Sequence, residues 1–264
     1  MCDRAIARAF AAARAARRTA LIPFVTAAWP TAVGCREALQ LAERMGADVV
    51  EVGIPFSDPL ADGLTIQHAS QTVLERGMTV GGVFELVREA ALGVPVVLMT
   101  YLNPMLAYGV NRFLADAERA GVAGLLCTDL PAGAAPDIED AVAASPLDLI
   151  RLVAPTTPDD RMRTALTGAS GFVYLISRLG VTGPRADTPP DLERQLRRVR
   201  AVTTLPVVVG FGIGTPDQAA AAARHADGVV VGSALVEALG AGGLAAAERL
   251  LAGIVGALRV RGAA

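Results

Sequence analysis

The chain has 264 residues, a net charge of −2, 53% hydrophobic residues and 19% charged ones. This allows one large domain or two small ones with a sizeable core, and the lack of any basic run beyond short arginine pairs argues against nucleic acid or a membrane surface as the main partner. Every one of the 24 basic residues is an arginine, which excludes the lysine Schiff base of lysine aldolases and PLP enzymes. The two histidines, His68 and His225, lie far apart, which disfavours a multi-histidine metal site.

From the N-terminus, Arg4, Arg8, Arg14, Arg17 and Arg18 are spread through an alanine-rich stretch that reads as an amphipathic helix. It lacks the apolar core and cleavage site of a secretory signal. No apolar run approaches a membrane span, since each is cut by Gly, Pro or a charge. Cys2, Cys35 and Cys127 have no metal or redox spacing, and the odd count fits a reducing cytosol, so a cytoplasmic protein is expected.

Short apolar runs at 21–25, 48–52, 96–101, 124–128, 148–153, 171–176, 206–209 and 228–231 read as strands. Helical patterns fall between them at 35–45, 83–91, 111–120, 136–143, 159–167, 191–202 and 216–224, with a last one at 244–258. Gly46 and Gly121 stand where helix C-caps belong, and Thr157-Pro158 and Thr215-Pro216 place a hydroxyl cap before a first-turn proline. Eight strand–helix repeats predict a (β/α)8 barrel, one domain over 1–264, with the extra N-terminal helix closing its bottom. An open doubly wound sheet is the alternative, but it more often has a Gly-rich turn after the first strand. Here that position reads Thr26-Ala27-Ala28-Trp29-Pro30.

Chemistry in such barrels sits at the C-terminal ends of the strands. Glu51, Tyr101, Asp129 and Ser177 fall there. Glu51 interrupts a run of valines, and a carboxylate in apolar surroundings is costly unless paired or working. Asp62 follows in a Pro- and Gly-rich loop; taken alone, it reads first as the N-cap of a helix beginning near Leu64. Tyr174, within a strand, is read either as a packed tyrosine or as a site residue. Gly210-Phe211-Gly212-Ile213-Gly214 and Gly232-Ser233 follow strands seven and eight, where barrels of this class bind phosphate on backbone N–H groups and a helix start. The long loop 177–190 is either a lid or a plain connection.

Glu51-Val-Gly-Ile-Pro-Phe-Ser-Asp-Pro-Leu-Ala-Asp-Gly63 resembles the tryptophan synthase alpha subunit family. So do Pro23-Phe-Val-Thr26, Met99-Thr-Tyr-Leu-Asn-Pro104, Asp129-Leu-Pro131, the Ser177–Gly183 stretch and the two glycine loops. The matches are in order and span nearly the whole chain. The resemblance implies a (β/α)8 barrel that cleaves indole-3-glycerol phosphate to indole and glyceraldehyde 3-phosphate. It implies no cofactor or metal of its own. Indole then passes to a PLP-containing beta subunit, which joins it to serine, in an alpha2beta2 complex. The resemblance makes Glu51 the general acid–base, Asp62 the holder of the indole nitrogen and Tyr174 the tyrosine beside the glutamate. It places Phe24 and Leu126 in the indole pocket, Thr182 in the lid, and Gly183, Gly212, Gly232 and Ser233 at the phosphate. Pro55, Asp58, Pro59, Asn103 and Pro131 fall in loops that face the beta subunit. Two departures stand out: Trp29, where the family usually has a small or acidic residue, and Leu64, where proline is common.

The chemistry is a retro-aldol whose leaving carbon, indole C3, bears negative charge poorly. Protonating C3 first gives an indolenine with positive nitrogen, which a carboxylate stabilises; a second group must take the side-chain hydroxyl proton. Two carboxylates in different environments divide this work without metal or imine. Rival readings are a stand-alone lyase of the same family, a non-catalytic phosphate-binding barrel that activates a partner, and a phosphosugar isomerase barrel.

Overall fold

The computed structural model of the protein describes residues 4–176, 191–210 and 212–258. Eight parallel strands, β1 Ala20–Thr26, β2 Val50–Gly53, β3 Val96–Thr100, β4 Val122–Cys127, β5 Asp148–Val153, β6 Val173–Ile176, β7 Val207–Gly210 and β8 Gly228–Val231, close in chain order. The closing pair is β8 with β1, in register from Ala20 and Gly228 to Pro23 and Val231. The sheet is therefore a closed (β/α)8 barrel with no edge strand, and the open doubly wound alternative falls away.

The helices are α1 Ala5–Ala15, α2 Ala32–Arg44, α3 Leu64–Glu75, α4 Val80–Ala90, α5 Leu102–Tyr108, α6 Val110–Arg119, α7 Pro136–Ala144, α8 Asp159–Ala165, α9 Leu192–Arg200, α10 Pro216–Ala223 and α11 Ser233–Leu258. The short helix α5 leaves no readable period in seven residues and has Pro104 in its first turn. Tyr101, expected as the end of the third strand, is instead the N-cap residue of that helix.

Strands buried on both faces explain the near-continuous Val, Ile and Leu runs. One face packs against the helices. The other fills the barrel with Ile22, Phe24, Val97, Leu126, Ile150, Tyr174, Val208 and Val230. Helix α1 plugs the N-terminal end of that interior. Its Phe10 ring lies 5.7 Å from Phe172, and its Ile6 Cδ1 would meet a Cβ on Gly124 at 2.9 Å. Burying such side chains is worth about 1.5–3 kcal/mol each. Arg4 ties the same helix to the start of β5, bonding the Leu147 carbonyl at 2.9 Å and Asp148 at 3.0 Å. The sequence places the second strand from residue 48. In the structure Asp48 precedes β2, and its carboxylate binds Arg18 at 2.6 Å and the Leu21 N–H at 2.9 Å.

The caps divide. Gly46 and Gly121 have φ of +95° and +83° just past α2 and α6, a conformation that costs glycine little. Thr215 caps α10 in a reciprocal box with Gln218. Thr157 does not cap α8: Pro158 is the N-cap residue, and the Thr157 hydroxyl instead accepts from Ala154 N at 3.2 Å within the loop. Helix α11 corrects the reading of the apolar runs. Its 26 residues are long and apolar enough to cross a membrane by length and composition alone. Gly242 and Gly243 break it, however, and it buries Leu235, Leu239, Leu251, Ile254 and Leu258, packing against α10, α2 and β1.

Candidate active site

A pocket opens at the C-terminal end of the barrel, lined by Glu51, Asp62 and Tyr174 together with Gly212, Gly232 and Ser233. Glu51 lies in β2, paired in register with Phe24 of β1 and Val97 of β3. The strand is rigid, and the inward direction of Glu51 follows from strand alternation. Its residue is 1% exposed, and Oε2 has no hydrogen-bond partner among the described residues. Burial, and then the nearby Asp62 charge, push its pKa up to about 8. At neutral pH it is largely a neutral acid.

Asp62 sits in the turn before α3, 4% exposed. Its Oδ2 accepts the Tyr101 hydroxyl proton at 3.1 Å, while Oδ1 is buried without a partner among the described residues. Burial raises its pKa to about 6, and the Tyr101 bond works against that rise. The helix-capping alternative fails on geometry. The N-cap residue of α3 is Gly63, with no side-chain cap bond; locally Asp62 uses its backbone, the N–H on the Pro59 carbonyl at 3.0 Å and the carbonyl taking Gln67 Nε2 at 2.8 Å.

Tyr174 projects from β6 into the same pocket. Burial, then the charges of Glu51 and Asp62, hold its phenol well above the usual range, so it stays protonated. A Cβ on Gly210 would stand 1.9 Å from its hydroxyl oxygen, so glycine at the end of β7 is what makes room for that group. Phe24 and Leu126 line the apolar wall. The Phe24 ring lies over Gly53, where a Cβ would come within 2.6 Å of Cζ.

The wall after β7 and β8 is built of backbone. Gly212, with φ of +87°, and Gly214 follow β7, and Gly232 precedes Ser233, the first residue of α11. The Gly232 carbonyl takes the N–H groups of Leu235 and Val236 at 2.8 and 3.0 Å. Helix geometry leaves the first-turn N–H groups of Ser233 and Ala234 outside the ladder, where an anion is favoured. Thr182, Gly183 and the rest of the expected lid, with Ser177, lie outside the described residues.

Apolar residues of the pocket wall such as Ile66, Met99, Leu152 and Val230 escaped the sequence reading, because apolar pocket and core positions have the same pattern. Tyr101 was legible only as a polar strand-end residue. Asp129 anchors its loop, with Oδ1 accepting from Leu102 N at 2.6 Å. Of the residues expected to face a partner, Asp58, Asn103 and Pro131 are exposed and Pro59 half-buried. Pro55 is buried, because Ile54 is still held to the barrel through Met99 O at 2.8 Å. Apolar groups that protrude nearby are Leu60, 89% exposed, Leu64 at the start of α3, 80%, and Leu106 in α5, 51%.

The family model described as tryptophan synthase alpha chain matches residues 10–253. The tryptophan synthase alpha chain of Gluconacetobacter diazotrophicus is 51% identical over 237 residues, covering 89% of this chain and 86% of that one. That of Acidiphilium cryptum is 48% identical over 240 residues, covering 90% and 87%. A solved structure of Mycobacterium tuberculosis tryptophan synthase superposes with a TM-score of 0.90 at 37% identity, covering 97% of this chain and 98% of that one. The alpha chain from Legionella pneumophila gives 0.87 at 34%, covering 99% of both. With this fold, this pocket and these similarities, the chain belongs to the tryptophan synthase alpha chain family.

Proposed function

We propose that the chain cleaves indole-3-glycerol phosphate to indole and glyceraldehyde 3-phosphate, with Glu51 and Asp62 dividing the acid–base work. The observation that carries the assignment of roles is the pair of buried carboxyls, each with one oxygen unpartnered among the described residues, in an apolar pocket that ends in a helix start. The indole ring lies against Phe24 and Leu126, with its N–H on Asp62. The phosphate lies on the N–H groups at Ser233. Binding energy from the phosphate orients the reacting bond, which is how a remote group raises kcat.

Glu51 enters as the neutral acid and gives its proton to indole C3. The ring becomes an indolenine with positive nitrogen, and ionised Asp62 offsets that charge in a low-dielectric site. Glu51, now a carboxylate in a place that disfavours charge, takes the proton of the hydroxyl on the carbon attached to C3. The oxygen electron pair forms the new carbonyl, the carbon–carbon bond breaks, and its pair restores the neutral aromatic ring. Glu51 ends as it began, and the proton count closes. Tyr174 stays protonated beside both carboxyls, as a hydrogen-bond donor.

The family works with a beta subunit, and the chain acts as the alpha subunit in tryptophan biosynthesis. The finer expectation is an alpha2beta2 complex in which PLP belongs to the beta subunit alone. Indole release from indole-3-glycerol phosphate, by the purified chain with and without a beta subunit, tests both. Slow release accelerated by the partner is expected. Fast release unaffected by the partner would mean a stand-alone indole producer, and no release under either condition would overturn the proposed chemistry.

A further inference from the structure

The one tryptophan of the chain lies outside the pocket wall but touches the supports of both its ends. Trp29 follows β1, where its backbone N–H closes a turn on the Thr26 carbonyl at 3.0 Å. Its indole Nε1–H donates to the Val236 carbonyl of α11 at 2.9 Å. One turn further along that helix, a Cβ on Gly240 would stand 2.7 Å from its Cζ2. The ring also meets His68 of α3 edge-on, with centroids 5.7 Å apart. Near the far end of α3, Arg76 bonds the Pro30 carbonyl at 2.5 Å, so the segment carrying Trp29 is tied to α3 at two places.

These two helices carry the two halves of the site. Helix α11 begins at Ser233, and α3 begins directly after Asp62 and Gly63 and sets Ile66 in the pocket wall. Packed helices shift as rigid bodies, because close-packed contacts transmit displacement where a void would absorb it. A large planar ring with two rotatable bonds and one fixed hydrogen bond is a stiff spacer between them. On the reading that the start of α11 takes the phosphate, we propose that Trp29 is a positioning residue that couples occupancy of the phosphate end to seating of the indole end. Each half of the substrate then binds more tightly when the other is present, and the coupling is reciprocal.

The test measures the affinity of the full chain for indole and for glycerol 3-phosphate by calorimetry, each alone and with the other saturating. The parent is expected to show mutual tightening of about 5-fold or more. Trp29→Ala removes the spacer, and Gly240→Ala displaces the ring from its seat. Both are expected to abolish the tightening while each ligand alone binds nearly as before. Trp29→Phe keeps a ring on His68 but loses the bond to Val236, and is expected to fall between. A fold made merely less stable by Trp29→Ala would weaken both ligands alone, and Gly240→Ala, which leaves the tryptophan in place, separates that outcome. Because Trp29 is the sole tryptophan, its emission should also change when glycerol 3-phosphate binds. Undiminished tightening in both alanine variants, or none in the parent, would overturn the proposal and leave the catalytic reading intact. Failure of the parent to bind glycerol 3-phosphate would overturn the phosphate reading and the coupling with it.

Discussion

The Tyr101 hydroxyl accepts the Ala61 N–H at 2.9 Å and donates to Asp62 Oδ2 at 3.1 Å, so one phenol fixes both the loop and the carboxylate it carries. One oxygen of Asp62 is held by the protein and the other, Oδ1, is buried without a partner among the described residues. Burial, then the Asp62 charge, hold the Tyr101 phenol above its ordinary range, so it remains a donor across the working pH.

A bell-shaped pH profile follows. The proposed active form has Asp62 ionised and Glu51 protonated, so kcat/KM should rise through about pH 6 and fall above about pH 8. Tyr101→Phe deletes a bond that lowers the Asp62 pKa. Its acid limb should therefore move to higher pH while the alkaline limb stays. An acid limb unmoved in that variant would separate Asp62 from the rising limb.

Glu51→Gln should cut turnover by about 10²–10⁴-fold, the usual worth of a general acid–base group. It should also stabilise the fold. The Glu51 pKa is raised from 4.5 to about 8, so between those values the native chain holds a proton that the unfolded chain has lost. Stability from this group is fully present below pH 4.5 and is lost as pH rises toward about 8. The Tm advantage of the variant over the parent should thus widen from about pH 5 to about pH 8.5. Thermal melts at the two values check the sign, and a constant gap would contradict the buried-acid account.

Gly210→Ala places a methyl group 1.9 Å from the Tyr174 oxygen. Either the tyrosine or β7 must move, and overpacking of this kind costs about 1–3 kcal/mol. A lower Tm and a lower kcat are expected together. Tyr174→Phe in the same chain relieves the hydroxyl contact and should recover part of the lost stability; no recovery would place the strain elsewhere.

Leu60, in the loop before α3, and Leu106, in α5, protrude into solvent. Exposed leucines of this kind contribute when a partner covers them. Serine at both positions should weaken binding of a beta subunit about 10-fold or more, equivalent to at least 1.4 kcal/mol, while indole release by the chain alone is unchanged. Analytical ultracentrifugation beside the indole assay separates the two effects, and unaltered association would remove these leucines from the interface.

The sequence alone determined the strand–helix repeat and the polar residues at or just beyond the strand ends, because these are local. Valine runs form strands buried on both faces, and an acid such as Glu51 within one is conspicuous against them. The cap at Thr215 and the glycines after α2 and α6 were equally readable, since each depends on a few adjacent residues. Only the tertiary structure decided what depends on distant parts of the chain. It closed the barrel by pairing β8 with β1, brought Tyr101 to Asp62, and left Gly63 to begin α3. It separated Ile66 and Met99, which face the pocket, from residues of identical character packed under the helices. Hydrophobicity records that a side chain avoids water, and the closed fold alone determines whether a ligand or another side chain takes the water's place.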